Sequence, residues 1–148
     1  MFTAADVAKL REETGAGIMD AKKALTQSNG DYVKAIEVLK AQGQIKADKK
    51  GARETGAGYL ETYIHGGRVG VLLEVRAETD FVTRSEPFRE FAKNLTLQIA
   101  AAAPETVEDM LKQNYIKDET MTIENLLKAT IAKVGENIRV VRFARYTV

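Results

Sequence analysis

The chain has 148 residues, 22 of them basic and 21 acidic, with a formal charge of +1 and no cysteine. That balance argues against a general nucleic-acid binder, whose domain pI usually lies above ~9, and the missing cysteine excludes disulfides, thiolate metal sites and thiol nucleophiles. No apolar run approaches the ~18 residues of a membrane span, and Met1-Phe2-Thr3 leads into a helix without a signal-peptide pattern, so a soluble, cytoplasmic protein is expected.

A domain of this length buries roughly 70% of its unfolded surface, enough for one main domain with a small appendage. Charge is uneven along the chain: Met1 to Arg53 holds ten basic and seven acidic residues, the remainder twelve and fourteen. The spacing predicts three domains or segments: a helical module over 1–43, a basic linker or helix extension over 44–58, and a mixed domain over 59–148.

Thr3 and Asp6 form an approximate capping box, with Phe2 able to staple onto Val7, so a first helix is expected to about Glu13. Thr14-Gly15-Ala16-Gly17 breaks it. A second helix with Ile18, Ala21 and Leu25 inward should run to Asn29-Gly30, and a third, opened by Asp31, places Tyr32, Ala35, Ile36 and Leu39 on one face. Gln44 to Gly58, with Lys46, Lys49, Lys50, Arg53 and three glycines, reads as a helix fading into a linker.

From Tyr59 the period changes to two. Leu60, Thr62 and Ile64 alternate with Tyr59, Glu61 and Tyr63; Gly66-Gly67 fits a hairpin turn; and Val69, Val71, Leu73 and Val75 form one face of the next strand. Phe88, Phe91, Ala92, Leu95 and Ile99 then mark an amphipathic helix with Pro87 in its first turn. Glu86, preceding proline, should avoid helical geometry and leave Asp80 to Arg84 as a separate turn. Pro104 ends that helix. A short helix over Thr106 to Gln113, a loop over Tyr115 to Met121, and a helix capped by Thr122 and stopped by Gly135 follow. Ile138 to Val148 alternates as a third strand, Val141, Phe143 and Thr147 against Val140, Arg142, Ala144 and Tyr146. The fold class expected is α+β, a small antiparallel sheet with helices on one face.

Between the second strand and the long helix stands Glu78-Thr79-Asp80-Phe81-Val82-Thr83-Arg84. Thr79 and Asp80 suit a helix start, but capping gives no reason for Phe81 and Val82, which either pack under the turn or form an exposed probe. A catalytic reading has little to stand on. The only histidine, His65, has no cysteine or serine partner arrangement, the acids are scattered, and no glycine run ends in the lysine and hydroxyl of a phosphate loop. The expectation is a protein that is no enzyme and holds no metal or cofactor.

Three stretches resemble one family in its order: Thr14-Gly15-Ala16-Gly17-Ile18-Met19-Asp20-Ala21-Lys22-Lys23-Ala24-Leu25, the Glu78 to Val82 motif with the strand before it, and Val134-Gly135-Glu136-Asn137-Ile138-Arg139-Val140. The chain resembles the elongation factor Ts family, guanine-nucleotide exchange factors for elongation factor Tu, and its helical front end resembles a ubiquitin-associated module. The resemblance implies that Arg11, Ile18, Met19 and Lys22 grip the partner GTPase and that Thr79, Asp80, Phe81 and Val82 form the element wedged into its nucleotide domain. On residue chemistry alone Ile18 fits core as well, and Met19 is either an incidental exposed side chain or an adaptable contact.

His65 is ordinarily a turn-flanking residue, but a matching His-Gly-x-Arg-x-Gly-Val-Leu segment in long members of the family belongs to a second core subdomain. Here one hairpin carries both features, and the long insertion of those members is missing. The resemblance is to short forms, which pair two copies, so a homodimer is expected. Arg76-Ala77 and Thr83-Arg84-Ser85 depart from the family's more usual Asn-Cys and Ala-Arg-Asn. Two other functions compete: a translation-associated RNA-binding protein using Lys46, Lys49, Lys50, Arg139, Arg142 and Arg145, and an adaptor acting through the helical module alone. The balanced charge speaks against nucleic acid as a partner.

Overall fold

Thr3 opens the first helix as its sequence requires: its hydroxyl accepts from Asp6 N at 3.3 Å while its own N–H donates to Asp6 Oδ2 at 2.7 Å. In the computed structural model, which describes residues 1–148, this helix is α1 (Ala4–Thr14). Gly15, with φ of 70°, ends it in the left-handed region that glycine enters without steric cost. α2 (Ile18–Gln27) and α3 (Tyr32–Lys50) follow. The chain forms two units, Met1–Lys46 and Ala47–Val148.

The first unit closes over Leu10, Ala21, Ala24, Leu25, Ala35 and Leu39, with Phe2, Val7, Tyr32 and Ile36 packed around them. Ile18 departs from expectation. It is 57% exposed, because as the first residue of α2 it lies ahead of the turn that Ala21 and Leu25 turn inward.

In the second unit β1 (Ala57–His65) and β2 (Val69–Ala77) form a hairpin, and β5 (Ile138–Thr147) pairs antiparallel on the other side of β2. Gly66 and Gly67 make the two-residue turn with φ of 56° and 69°, and Arg68 N bonds back to His65 O at 3.0 Å. Between β2 and β5 lie α4 (Asp80–Thr83), α5 (Glu86–Ala102), α6 (Val107–Lys112), β3 (Asn114–Tyr115), β4 (Asp118–Thr122) and α7 (Ile123–Val134).

α5 lays Phe88, Phe91, Ala92, Leu95 and Ile99 into the buried cluster that also holds Val71, Leu73, Val75 and Ala77 of β2. Tyr59 of β1 meets Phe88 edge to face, with ring centroids 5.8 Å apart. α7 packs on α5 and α6. The sheet therefore has one covered face and one open face, which exposes Leu60, Ile64, Leu72 and Tyr146. No helix is long and apolar enough to cross a membrane.

Three local expectations are corrected. Glu86 is the first residue of α5, and Ser85 takes the extended geometry (φ −70°, ψ 149°), so proline at the second helical position displaces the break by one residue. Tyr115 to Met121 is no plain loop, since Asn114 pairs with Thr122 and Tyr115 with Asp118 in a small hairpin. This hairpin is pinned by the fully buried Gln98, whose amide donates to Asn114 O and accepts from Ile116 N.

The third correction concerns β5. Glu74 pairs with Arg142, yet Val75 pairs with Val140, leaving Val141 as the extra residue of a bulge. The bulge resets the alternation, so Val140 shares the core side with Ile138 and does not join Arg142 and Tyr146 on the open face.

Candidate functional site

β2 ends in the buried Ala77, and the chain then turns through Glu78 and Thr79 into α4. Thr79 caps this short helix, its hydroxyl accepting from Val82 N at 3.4 Å. Successive helical residues point about 100° apart, and here that rotation separates two roles. Phe81 is 84% exposed, whereas Val82 and Thr83 are each 4% exposed. Of the two alternatives left open by the sequence, Phe81 takes the outward one and Val82 the inward one. Val82 therefore serves as the anchor beneath the turn, not as part of the presented surface; a β-branched residue in the second apolar place fills the core and leaves the ring outside. Asp80, exposed beside Phe81, gives its carbonyl to Thr83 Oγ1 and Arg84 N, both at 3.1 Å.

Thr83 and Ser85 bond within this turn, whereas Arg76 bonds along the strand before it. Thr83 Oγ1 donates to Asp80 O, and Ser85 Oγ donates to Val82 O at 2.6 Å, so both hydroxyls close the turn on itself. Arg76 Nε donates to Glu74 Oε2 at 2.7 Å, and Arg142 Nε donates to the other oxygen at 2.9 Å. These two guanidinium bonds, Arg76 first, hold the Glu74 carboxyl below the usual carboxylate range.

Sequence reasoning quoted Glu136 and Asn137 only as part of a motif and missed their function in the fold. Thr79 N and Oγ1 donate to the two oxygens of Glu136 at 3.0 and 2.8 Å. Asn137 N donates to Glu78 Oε1 at 2.8 Å, and its Nδ2 donates to Arg53 O at 2.8 Å. Arg53 lies 3.6 Å from Glu78. No local spacing could reveal this network. It exists because the antiparallel register sets Ala77 against Ile138, bringing the residues just beyond each strand end face to face.

In the first unit Arg11, Ile18 and Lys22 line one groove together with Phe2, Ala4 and Val7. Met19, 63% exposed, stands on the same helix beside it. A largely apolar lining that includes two cations suits a partner surface carrying both apolar and acidic side chains. His65 is exposed at the far end of β2 from Thr79, with Nδ1 2.9 Å from the Tyr63 hydroxyl. A nine-residue strand separates it from the Phe81 turn, about 25 Å at ~3.3 Å per residue, so the two are not brought together within one chain.

Three of the six cations of the RNA-binding alternative are engaged within the chain. Lys46 pairs with Asp20 at 2.7 Å, Arg142 is bonded to Glu74, and Arg145 donates to Ala100 O at 3.1 Å on the covered side of the sheet.

A family model described as Elongation factor TS matches residues 78–148, the segment that runs from the Phe81 turn through the Glu136 brace to β5. The chain is 40% identical over 192 residues to the elongation factor Ts of Rippkaea orientalis, covering 98% of this chain and 77% of that protein. It is 40% identical over 189 residues to the chloroplastic elongation factor Ts of Cyanidioschyzon merolae, covering 95% and 90%. With the elongation factor Ts of Moorella thermoacetica it is 41% identical over 194 residues, covering 100% and 96%. These alignments exceed the 148 residues of the chain, so the relatives carry residues with no counterpart here.

Proposed function

The chain belongs to the elongation factor Ts family, and from that premise we propose that it is a translation elongation factor that promotes GDP release from elongation factor Tu. The observation that carries the reading is Phe81, a large aromatic 84% exposed on a capped and braced turn, with the carboxylate of Asp80 beside it. An exposed aromatic of this kind costs solvation in the free protein and repays it only on entering an apolar site elsewhere.

The groove of Arg11, Ile18 and Lys22, with Met19 at its side, grips the GTPase. Phe81 is wedged between helices of the nucleotide domain while Asp80 makes polar contacts there. Displacing those helices disturbs the Mg²⁺ and phosphate contacts, and GDP leaves. Reciprocity follows: a factor by which this chain weakens GDP binding is the factor by which GDP weakens binding of this chain. A ten-thousandfold effect needs about 5.5 kcal/mol of differential affinity, within reach of a wedge plus an anchor and beyond one aromatic alone.

The reading includes a cytoplasmic homodimer, with no cofactor and no catalytic residue of its own. It is supported by the open sheet face, where Leu60, Ile64, Leu72 and Tyr146 form an apolar surface that a second copy would cover. Pairing would also let His65 of one copy act in a site completed by the other. The test is release of labelled GDP from elongation factor Tu with and without the chain. Acceleration that saturates with chain concentration is expected; an unchanged release rate at saturating complex formation sinks the exchange function.

A further inference from the structure

Backbone pairing of β2 with β5 stops at Ala77 and Ile138, and side chains continue the ladder. Glu136, 57 residues from Thr79 in sequence, takes both of that residue's donors at 3.0 and 2.8 Å. The hydroxyl of Thr79 has one proton. Because it goes to Glu136, the oxygen lone pairs are left facing Val82 N, the amide that Thr79 caps at 3.4 Å. Glu136 thus fixes the direction in which the cap works.

A four-residue helix needs such help, since its few hydrogen bonds do not offset the dihedrals they fix. Val82 and Thr83 hold α4 from beneath, and Glu136 holds its entry. Gly135, with φ of 77°, ends α7 and turns Glu136 toward Thr79. Asn137, buried next to it, ties Glu78 and the Arg53 carbonyl into the same junction.

Resting on the exchange reading above, we infer that Glu136 is a positioning residue for GDP release, its carboxylate locking the Thr79 cap so that Asp80 and Phe81 are presented in one orientation before a partner is met. A wedge that arrives already ordered spends none of its binding free energy on ordering itself. Glu136 acts through Thr79 and lies outside α4, so losing it lowers the rate at which the bound complex releases GDP more than it lowers complex formation.

The test compares wild-type chain, Glu136→Ala and Glu136→Gln in the release of fluorescent GDP from elongation factor Tu over a range of chain concentrations. For Glu136→Ala the maximal rate is expected to fall about tenfold, the worth of a lost charge-assisted hydrogen bond, with the half-saturating concentration within about threefold of wild type. Glu136→Gln keeps one acceptor and should fall between.

Amide hydrogen exchange supplies the second readout. In Glu136→Ala, protection should drop at Val82, Thr83 and Ser85 while Leu73 and Val75 stay protected. If the wild-type chain does not accelerate release, the exchange function fails and the positioning role with it. If wild type accelerates release and Glu136→Ala reaches the same maximal rate, the positioning role alone fails. It also fails if protection is lost across β2 as well as in the turn, the mark of a residue that only supports the fold.

Discussion

Thr79 and Glu136 meet through two hydrogen bonds of 3.0 and 2.8 Å, so the start of α4 is held by a carboxylate from the segment leading into the neighbouring strand β5. One short turn therefore combines an inward side supplied by Val82 and Thr83 with an outward side supplied by Asp80 and Phe81. The separation of those sides makes function and stability individually testable.

Phe81→Ala should leave the fold intact and disable exchange. The ring is 84% exposed, so its removal opens no cavity, and the melting temperature should stay within about 1 °C, as for surface substitutions generally. Acceleration of GDP release should drop by at least about tenfold. Leu73→Ala, at a site with no exposure, should behave in the opposite manner, costing about 2–5 kcal/mol of stability. Equal thermal losses in the two variants, with exchange reduced only in proportion, would contradict the outward role of Phe81.

Ile18→Asp tests the groove of the first unit. Ile18 is 57% exposed, so the change should cost less than about 1 kcal/mol of stability, while a new carboxylate in the groove that Arg11 and Lys22 also line alters both the apolar contact and the local charge. Affinity for elongation factor Tu, measured by calorimetry, should weaken by about tenfold or more. Unchanged affinity would remove Ile18 from the partner surface.

Leu72→Glu tests self-association. Leu72 lies on the open face opposite Thr62 and Ala144, and is 46% exposed in the single chain. Two copies packed through that face would bring two introduced carboxylates into an apolar contact, a cost of several kcal/mol. Sedimentation should show a dimer for the wild type and a monomer for the variant at micromolar concentration. A wild-type monomer that still accelerates GDP release would remove the dimer from the mechanism.

The pH dependence of stability should have contributions in acid, Glu74 among them, and in alkali, Tyr32 among them. Glu74 is held below the usual carboxylate range by Arg76 and Arg142. Its contribution is therefore complete above the unfolded-state value and is lost as pH falls through the lowered folded-state value. Glu74→Gln should flatten the acid limb of a thermal-stability profile. Tyr32 behaves oppositely. Its hydrogen bond to Glu13, at 2.7 Å, and then desolvation push it up to about 12, so its contribution is complete below the ordinary value of 10.0 and is lost as pH rises toward about 12. Tyr32→Phe should flatten the alkaline limb, and ultraviolet titration should show a phenol ionising at about 12 that the variant lacks.

Much of the architecture was legible from local chemistry alone. The Thr3 and Asp6 box, the Gly66-Gly67 hairpin, the stripe from Phe88 to Ile99 and the Thr122 cap each depend on neighbours within a few residues, where spacing and side-chain type fix the geometry. The Phe81 motif was visible as an anomaly for the same reason, an aromatic where capping needs none.

Other features depended on partners distant in sequence. The Val141 bulge arises from how β5 meets β2, so period-two reading placed Val140 on the wrong face. Whether Phe81 or Val82 pointed outward was decided by packing, which takes Val82 into the buried cluster and leaves the Phe81 ring exposed. The bonds from Glu136 to Thr79 and from Asn137 to Glu78 span 57 and 59 residues. Sequence by itself determined the elements and the residues worth watching, because those follow from short-range sterics and hydrogen bonding. Only the tertiary structure decided which of those residues face water and which hold them there, because register between distant strands is a property of the packed core.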